Sequence, residues 1–391
     1  MGSGSPRYEC LALADALKWL DACPHAVGSE PVPLEQAFGR VLHAALAFAA
    51  DRPDRDLALA DGYLVRAEDT LGASSYNPLR LALVPEGTVL RAGCACACHA
   101  GQTVPPGANA VLPPEAGEVA GGALDVCDVV ARGAGIGRKG QGARCGDMAV
   151  PAGRRLGGPQ IALAASMGLT DLSVWRRPAV AVVLAGAKPP ATEALGAALA
   201  GLIARDGGKA RQGAATVGAL AAAAPADLVL LVGRSGRGGD DDAGDAVAAA
   251  GGRLDHHGVA LAPGGSVGLG WLGSAPLLLL PGDPISALVS YEVLAGRLLR
   301  RLAGRPADWP YPVRRRALSR KIVSPVGLSE WVPVTCDGTE AAPLALAPAD
   351  GVIGYARADG YLIVPAGLEG HSAEEIVDVV MLGEASSQER E

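Results

Sequence analysis

Two carboxylate positions and one arginine–glycine run hold the residue types that could do chemistry. Asp61 stands in the string ADGY, and Asp241 is the middle of three consecutive aspartates, Asp240 to Asp242. Directly before them runs Gly233-Arg234-Ser235-Gly236-Arg237-Gly238-Gly239. Carboxylates can hold Mg2+, which neutralises charge on phosphate groups. Glycines bare backbone N–H groups and arginine forks onto oxyanions, so the run 233–239 has the composition of an anion-binding loop. It is neither a P-loop nor a dinucleotide fingerprint. A plain solvated loop has the same composition, and both readings stand. Asp61 can equally cap an Asp-Gly turn. Pro281-Gly282-Asp283-Pro284 shapes a turn ahead of a helix whose N-terminus would face a phosphate.

A third group is sulfur. Cys94, Cys96 and Cys98 alternate in CACACH, followed by His99. In an extended chain the three thiols share one face. Thiolates and imidazole bind soft metals. The spacing is not that of paired-cysteine zinc sites, and inert structural cysteines are the commoner outcome. His256 and His257, between a helix and a strand, read as an exposed pair. The basic run 314–316 reads as a solvated face.

These groups need a frame. Residues 10–23 have helical spacing, with Leu11, Leu13, Ala16, Leu17 and Leu20 on one stripe. Residues 32–42, opened by Pro33, read as a short helix. From 51 to 145, short Val/Leu runs broken by Gly and Pro predict a β-rich region. Residues 153–168 return to helical spacing, and 176–178 form a domain joint. Strands are expected at 178–188 (PAVAVVLAGAK, ending in a Gly turn), 226–233 and 275–280, and helices at 193–206, 243–250 and 285–303. That alternation predicts an α/β domain with a parallel sheet, which binds ligands beyond the carboxyl ends of its strands. A proline-rich linker at 302–312 leads into a small β domain.

The chain has 391 residues, of which 49% are hydrophobic and 19% charged, too apolar for disorder and long enough for several domains. Its net charge of −7 disfavours nucleic acid as a partner. No apolar run reaches the roughly 20 residues that span a bilayer, and the first residues lack the order of a signal peptide. Eight scattered cysteines in so large a chain read as reduced thiols in a cytoplasmic protein.

Four strings in one order, PLEQAFGRVL, ADGYLVRAEDT, LPGDPISALVSYE and ARADGYLIVPAGLEG, resemble the molybdopterin molybdenumtransferases, MoeA and the E domain of gephyrin. The resemblance runs nearly end to end. It implies an α/β multidomain fold: an elongated N-terminal linker domain (1–50 plus 146–177), an inserted β-rich domain (51–145), a central parallel-sheet molybdopterin-binding domain (178–304) and a C-terminal β barrel (313–391). It also implies a homodimer that inserts molybdate into adenylylated molybdopterin with Mg2+ and releases AMP. Partners would be a molybdoenzyme or other proteins of molybdenum-cofactor synthesis.

Mapped residue by residue, Asp61 matches the acid of the family's MDGY, and Asp241 an acid after the family's Ser-Gly-Gly-Val-Ser-Val-Gly. The resemblance places Gly233, Arg234 and Arg237 in that loop. Pro281, Gly282, Asp283, Pro284 and Ser286 fall in the PGNPVSA turn. The family's Thr-Gly-Asp-Glu is Ala185-Gly186-Ala187-Lys188, so Gly186 stays and Lys188 replaces a carboxylate. Gly-Glu-Asp is Gly140-Gln141-Gly142, and Lys-Pro-Gly-Lys is Ala262-Pro263-Gly264-Gly265. The turns persist where several charged groups have changed. Two readings follow: an insertase with rebuilt anion contacts, or a noncatalytic paralogue that binds molybdopterin or finished cofactor as carrier, chaperone or regulator.

Overall fold

The structure is a computed structural model that describes residues 9–24, 27–185, 191–213, 220, 225–346 and 351–383. Two compact units emerge, one of residues 1–43 with 171–391 and the other of residues 44–170. Among the described residues no helix is long and apolar enough to cross a membrane.

In the first unit the α/β core begins with β1 (Ala179–Leu184), α1 (Ala191–Arg205), β2 (Lys209–Gly213) and β3 (Leu228–Val232). It continues through α2 (Ala243–Ala249), β4 (Arg253–His257), β5 (Gly268–Leu272) and β6 (Ala275–Leu280). The sheet order is β2-β1-β3-β6-β5-β4. The first four strands are parallel, and β5 and β4 run antiparallel to their neighbours. The sheet is therefore mixed, which corrects the all-parallel expectation. His256 and His257 lie on β4 and are half-buried, not an exposed pair between elements.

Strand alternation explains the unbroken apolar runs. Val180, Val182, Leu228, Leu230, Leu278 and Leu280 pack on one face against Leu195, Leu199 and Ile203 of α1. Ala181, Val183, Val229, Leu231, Leu277 and Leu279 pack on the other against Ala243 and Val247 of α2. Both faces are covered, so both sets of side chains must be apolar. Each fully buried Leu or Val contributes about 1.5–3 kcal/mol. After β6 the chain enters one helical stretch, α3 (Pro284–Ser290), a π-helical turn (Tyr291–Ala295) and α4 (Gly296–Leu302).

The last strands, β7 (Val313–Leu318), β8 (Ser329–Asp337), β9 (Glu340–Pro343), β10 (Gly360–Val364) and β11 (Ile376–Met381), close on themselves in the order β8-β9-β7-β11-β10-β8. This five-stranded barrel encloses Leu318, Val334, Leu362, Val364 and Val379. The N-terminal helix Leu13–Ala22 forms as its spacing predicts. Residues 32–42 do not form the expected helix: the strand Ser29–Pro33 pairs with Asp171–Trp175, leaving only a 3-10 turn at Leu34–Gln36. Strand pairing across distant segments outweighs the local helical pattern there.

In the second unit a six-stranded sheet runs through Ala110–Leu112, Gly62–Val65, Cys94–Cys98, Leu79–Leu83, Ala123–Val126 and Gly117–Ala120. The β-rich expectation for this region matches that sheet. Gly62 has φ +154°, and a Cβ there would lie 2.2 Å from the carbonyl oxygen of Leu112. The glycine of ADGY is thus required by crowding between strands.

Asp255 ties the N-terminal helix to the sheet edge. Its Oδ2 accepts the indole N–H of Trp19 at 3.0 Å and of Trp271 at 2.8 Å, and its Oδ1 accepts from Arg253 at 3.0 Å. Burial alone would raise this carboxyl, but the two indoles and Arg253 outweigh it and hold it below its ordinary value. Its stabilising contribution is complete above the unfolded carboxyl pKa of about 3.9 and is lost as pH falls through the lower folded value. Asp255→Ala orphans two indole donors and should cost about 2 kcal/mol in urea unfolding. That deficit should shrink as pH is lowered below 4; equal deficits at pH 7 and pH 3 would remove the carboxylate from this role.

Candidate functional site

The carboxyl ends of β1, β3 and β6 come together through glycine turns. Gly233 follows β3 at φ +104°, its N–H donating to Leu280 O at 2.9 Å. A Cβ on Gly233 would lie 2.0 Å from the carbonyl oxygen of Ala185, and one on Gly282 would lie 3.0 Å from the Cα of Gly233. The three strand ends therefore touch backbone to backbone, a closeness only glycine allows. Among the described residues none accepts from the backbone N–H groups of Arg234, Gly282 or Asp283. Donors clustered in this way are the elements of an anion cradle.

Asp283 caps α3. Its Oδ1 accepts from Ile285 N–H at 3.2 Å and its Oδ2 from Ser286 N–H at 3.1 Å. Pro284 opens the helix, where a missing N–H costs nothing. Pro281, Gly282, Asp283, Pro284 and Ser286 thus form the turn expected of them. Both Asp283 oxygens, however, are committed to the helix.

The loop after β3 is closed by its own charges. Arg234 adopts φ +54°, rare for a side-chain-bearing residue. Its Nε donates to Asp240 O at 2.8 Å and its Nη2 pairs with Asp242 Oδ2 at 2.9 Å. Asp241 Oδ2 accepts from Gly238 N–H at 2.7 Å, while Asp241 N–H donates to Gly238 O at 3.1 Å. A Cβ on Gly236 would lie 2.6 Å from that same Oδ2. Asp241 is accordingly the clasp of a tight turn. Arg237 lies in this loop as well. Gly186 and Lys188 lie outside the described residues.

Behind the loop, Ser235 is buried, and its Oγ meets Ser266 Oγ at 2.8 Å. Ser235 O meets His257 Nε2 at 2.9 Å. Sequence reasoning missed both Ser266 and the anchoring role of His257. The available signal was position: His257 ends the strand beside β5, and Ser266 falls in the turn that precedes it.

In the second unit, Asp61 is exposed. Its Oδ1 accepts from Ala100 N–H at 2.8 Å and lies 3.7 Å from His99 Nδ1. Asp56 accepts from Lys139 N–H at 2.8 Å and Asp51 from Cys145 N–H at 2.9 Å. These carboxylates order loops, and that of Asp61 reaches the loop after the cysteine strand rather than an Asp-Gly turn of its own.

The cysteine strand turns its thiols inward, not toward a metal. Cys96 and Cys98 pack among Ala58, Leu64, Leu90, Val111 and Ile136, with Cys94 at the edge. Burial pushes the Cys98 thiol up to about 11 and raises that of Cys96, which disfavours the thiolate that binds metal. Among the described residues no group of three or more His, Cys, Asp or Glu side chains is placed to hold a metal ion. The proposed metal set of Cys94, Cys96 and Cys98 and the Mg2+ role of Asp241 therefore find no ligand geometry there. The cause is strand pleating for the thiols and turn closure for the aspartate.

Comparison with known proteins points one way. Residues 11–168 match the pattern of the MoeA N-terminal region (domain I and II). Molybdopterin molybdenumtransferase 2 of Mycobacterium tuberculosis is 33% identical over 332 residues, 77% of this chain and 81% of that protein. A putative molybdopterin biosynthesis protein of Methanocaldococcus jannaschii is 24% identical over 90% of this chain and 92% of its own length. Among solved structures, a molybdopterin biosynthesis MoeA protein from Pyrococcus horikoshii superposes with a TM-score of 0.81 at 28% identity, covering 96% of this chain and all of that one. With that sequence likeness and the matching mixed α/β fold and closed barrel, the chain belongs to the MoeA family of molybdopterin molybdenumtransferase-like proteins of molybdenum-cofactor biosynthesis.

Proposed function

We propose that this chain binds molybdopterin or adenylylated molybdopterin at the carboxyl ends of β1, β3 and β6, and passes the pterin or finished cofactor to a molybdoenzyme without inserting molybdate itself. The observation that carries this reading is the commitment of three carboxylates at the strand ends. Asp241 closes a turn, Asp242 pairs with Arg234, and Asp283 caps α3. These residues do not fit a Mg2+ site, whose ligands must be free oxygen donors. The bare N–H groups of Arg234, Gly282 and Asp283, with the Arg234 guanidinium, fit a phosphate. Arg237 adds a positive charge to the same loop. Asp61 holds the loop at Ala100 in this reading and takes no catalytic part.

The rival reading, an insertase that uses molybdate and Mg2+, is favoured by the intact glycine turns and PGDP cap. The two part in one assay. With adenylylated molybdopterin, molybdate and Mg2+, this protein should release AMP no faster than a no-enzyme control, while a family member with the complete motifs releases it. Binding of molybdopterin, followed by pterin fluorescence, should be the same with Mg2+ and with a chelator. Molybdate-dependent AMP release would make the chain an insertase.

Arg234→Gly suits the positive φ and removes only the guanidinium. A lost charge-assisted contact of about 1.5–3 kcal/mol corresponds to a 10- to 100-fold loss of affinity. Molybdopterin titration of this variant should show such a loss; unchanged affinity would take Arg234 out of the site.

As in the family it belongs to, the chain is proposed to act as a homodimer in the cytoplasm. Light scattering at micromolar concentration should give twice the 39.2 kDa chain mass, and a monomer would refute the dimer.

A further inference from the structure

The loop after β3 ends in Asp240, Asp241 and Asp242, and the first two have structural work. Asp241 clasps the turn, its Oδ2 accepting from Gly238 N–H at 2.7 Å. Asp240 acts through its main chain, its carbonyl oxygen accepting from Arg234 Nε at 2.8 Å. Asp242 stands just before α2, the position from which an aspartate ordinarily caps a helix. It does not cap this one. Its backbone, at φ −109° and ψ 12°, is outside the extended region usual for a capping residue, and its carboxylate accepts from none of the helix N–H groups. The first N–H of α2, that of Ala243, donates instead to Arg234 O at 3.1 Å.

These structural contacts are therefore made without the Asp242 side chain. The helix starts on a main-chain carbonyl, the turn is closed by Asp241, and Arg234 is held by Asp240 O. The Asp242 carboxylate meets Arg234 Nη2 at 2.9 Å, and among the described residues it has no other partner. The two side chains are 41% and 51% exposed, so the pair is open to water and to an incoming ion.

We propose that Asp242 is a built-in competitor for the strand-end site, resting on the phosphate-binding reading of that site. Its carboxylate occupies the Arg234 guanidinium until the phosphate of the pterin displaces it, and returns when the pterin leaves. Carboxylate and phosphate oxygens make the same charge-assisted contact with a guanidinium N–H, so each excludes the other from Nη2. The apparent affinity is then the intrinsic affinity multiplied by the fraction of molecules in which Arg234 is uncovered. An exposed pair of this kind leaves that fraction at roughly 0.15–0.4. Such a brake suits a protein that hands its cargo on, because the carboxylate takes over the guanidinium as the phosphate withdraws.

Molybdopterin titration of the full chain, followed by pterin fluorescence at one ionic strength, tests it. Asp242→Asn keeps the shape of the side chain and removes the competing charge, and should tighten binding about two- to six-fold. Asp240→Asn removes an equal charge but leaves the carbonyl on Arg234, and should tighten binding by a smaller factor. In the Arg234→Gly background, Asp242→Asn should gain no more than Asp240→Asn does. The unfolding temperature of Asp242→Asn should stay within about 2 °C of the parent protein, because an exposed pair contributes little in a chain of this size. The proposal is overturned if Asp242→Asn binds no tighter, if Asp240→Asn matches it, or if its gain survives Arg234→Gly. A larger fall in unfolding temperature makes Asp242 a structural residue and overturns it as well. The phosphate-binding reading fails on a different result, Arg234→Gly binding as tightly as the parent. If Arg234→Gly binds weakly while Asp242→Asn binds no tighter, that reading stands and the competitor alone falls.

Discussion

Beneath the helical stretch 284–302 lies a closed set of buried charges on which the α/β unit depends. Arg205, at the end of α1, spans Asp206 and Glu292, its Nη1 and Nη2 meeting the Glu292 oxygens at 2.6 and 3.0 Å. Arg300 pairs with Asp206 at 3.2 Å, and Tyr291 O–H donates to Asp206 Oδ2 at 3.0 Å. Asp206 and Glu292 are wholly buried. Burial raises the Glu292 carboxyl, against the pull of Arg205. Two positive and two negative groups cancel, so removing any one leaves an uncompensated buried charge, a loss of about 3–5 kcal/mol. Gly296 makes room for the set, since a Cβ there would lie 2.8 Å from Asp206 Oδ2. The helix that begins at the PGDP cap is thus clamped along its middle, and that clamp holds the cap against the glycine turn after β3.

The sheet could be read where its strands are buried on both faces. Residues 179–184, 228–232 and 275–280 are continuous apolar runs because helices cover them on either side. Residues 209–213, KARQG, offered no such signal: this strand lies at the sheet edge, and most of its side chains face solvent. Residues 253–257 and 268–272 were equally opaque, one rich in charge and histidine and the other in glycine. Gly270 is crowded, because a Cβ there would lie 2.1 Å from the carbonyl of Arg253. Packing between neighbouring strands chose that glycine, and it leaves no period in the sequence.

The strand-end site shows a similar division. Residue types announced a turn at 281–284, which exists, and left the loop at 233–239 open between an anion-binding and a solvated reading. Nothing in the string DDD discloses that Asp241 bonds a backbone N–H three residues earlier while Asp242 bonds an arginine eight residues earlier. Those are choices of local backbone geometry, set by Arg234 at positive φ and by glycines at 236 and 238. The alternation of Cys94, Cys96 and Cys98 correctly put three thiols on one face, but the face is the interior. Periodicity fixes which residues share a side and is silent on which side is wet.

The charge at the carboxyl end of the sheet is exchangeable. At the carboxyl end, Arg234 already has Asp242 within 2.9 Å, and both side chains are substantially exposed. An exposed pair contributes about 1 kcal/mol or less, so a phosphate with two negative charges can replace the carboxylate at little expense. The exchange needs no rebuilding of the loop, because Arg234 Nε stays on Asp240 O at 2.8 Å while only the Nη2 contact to Asp242 is given up.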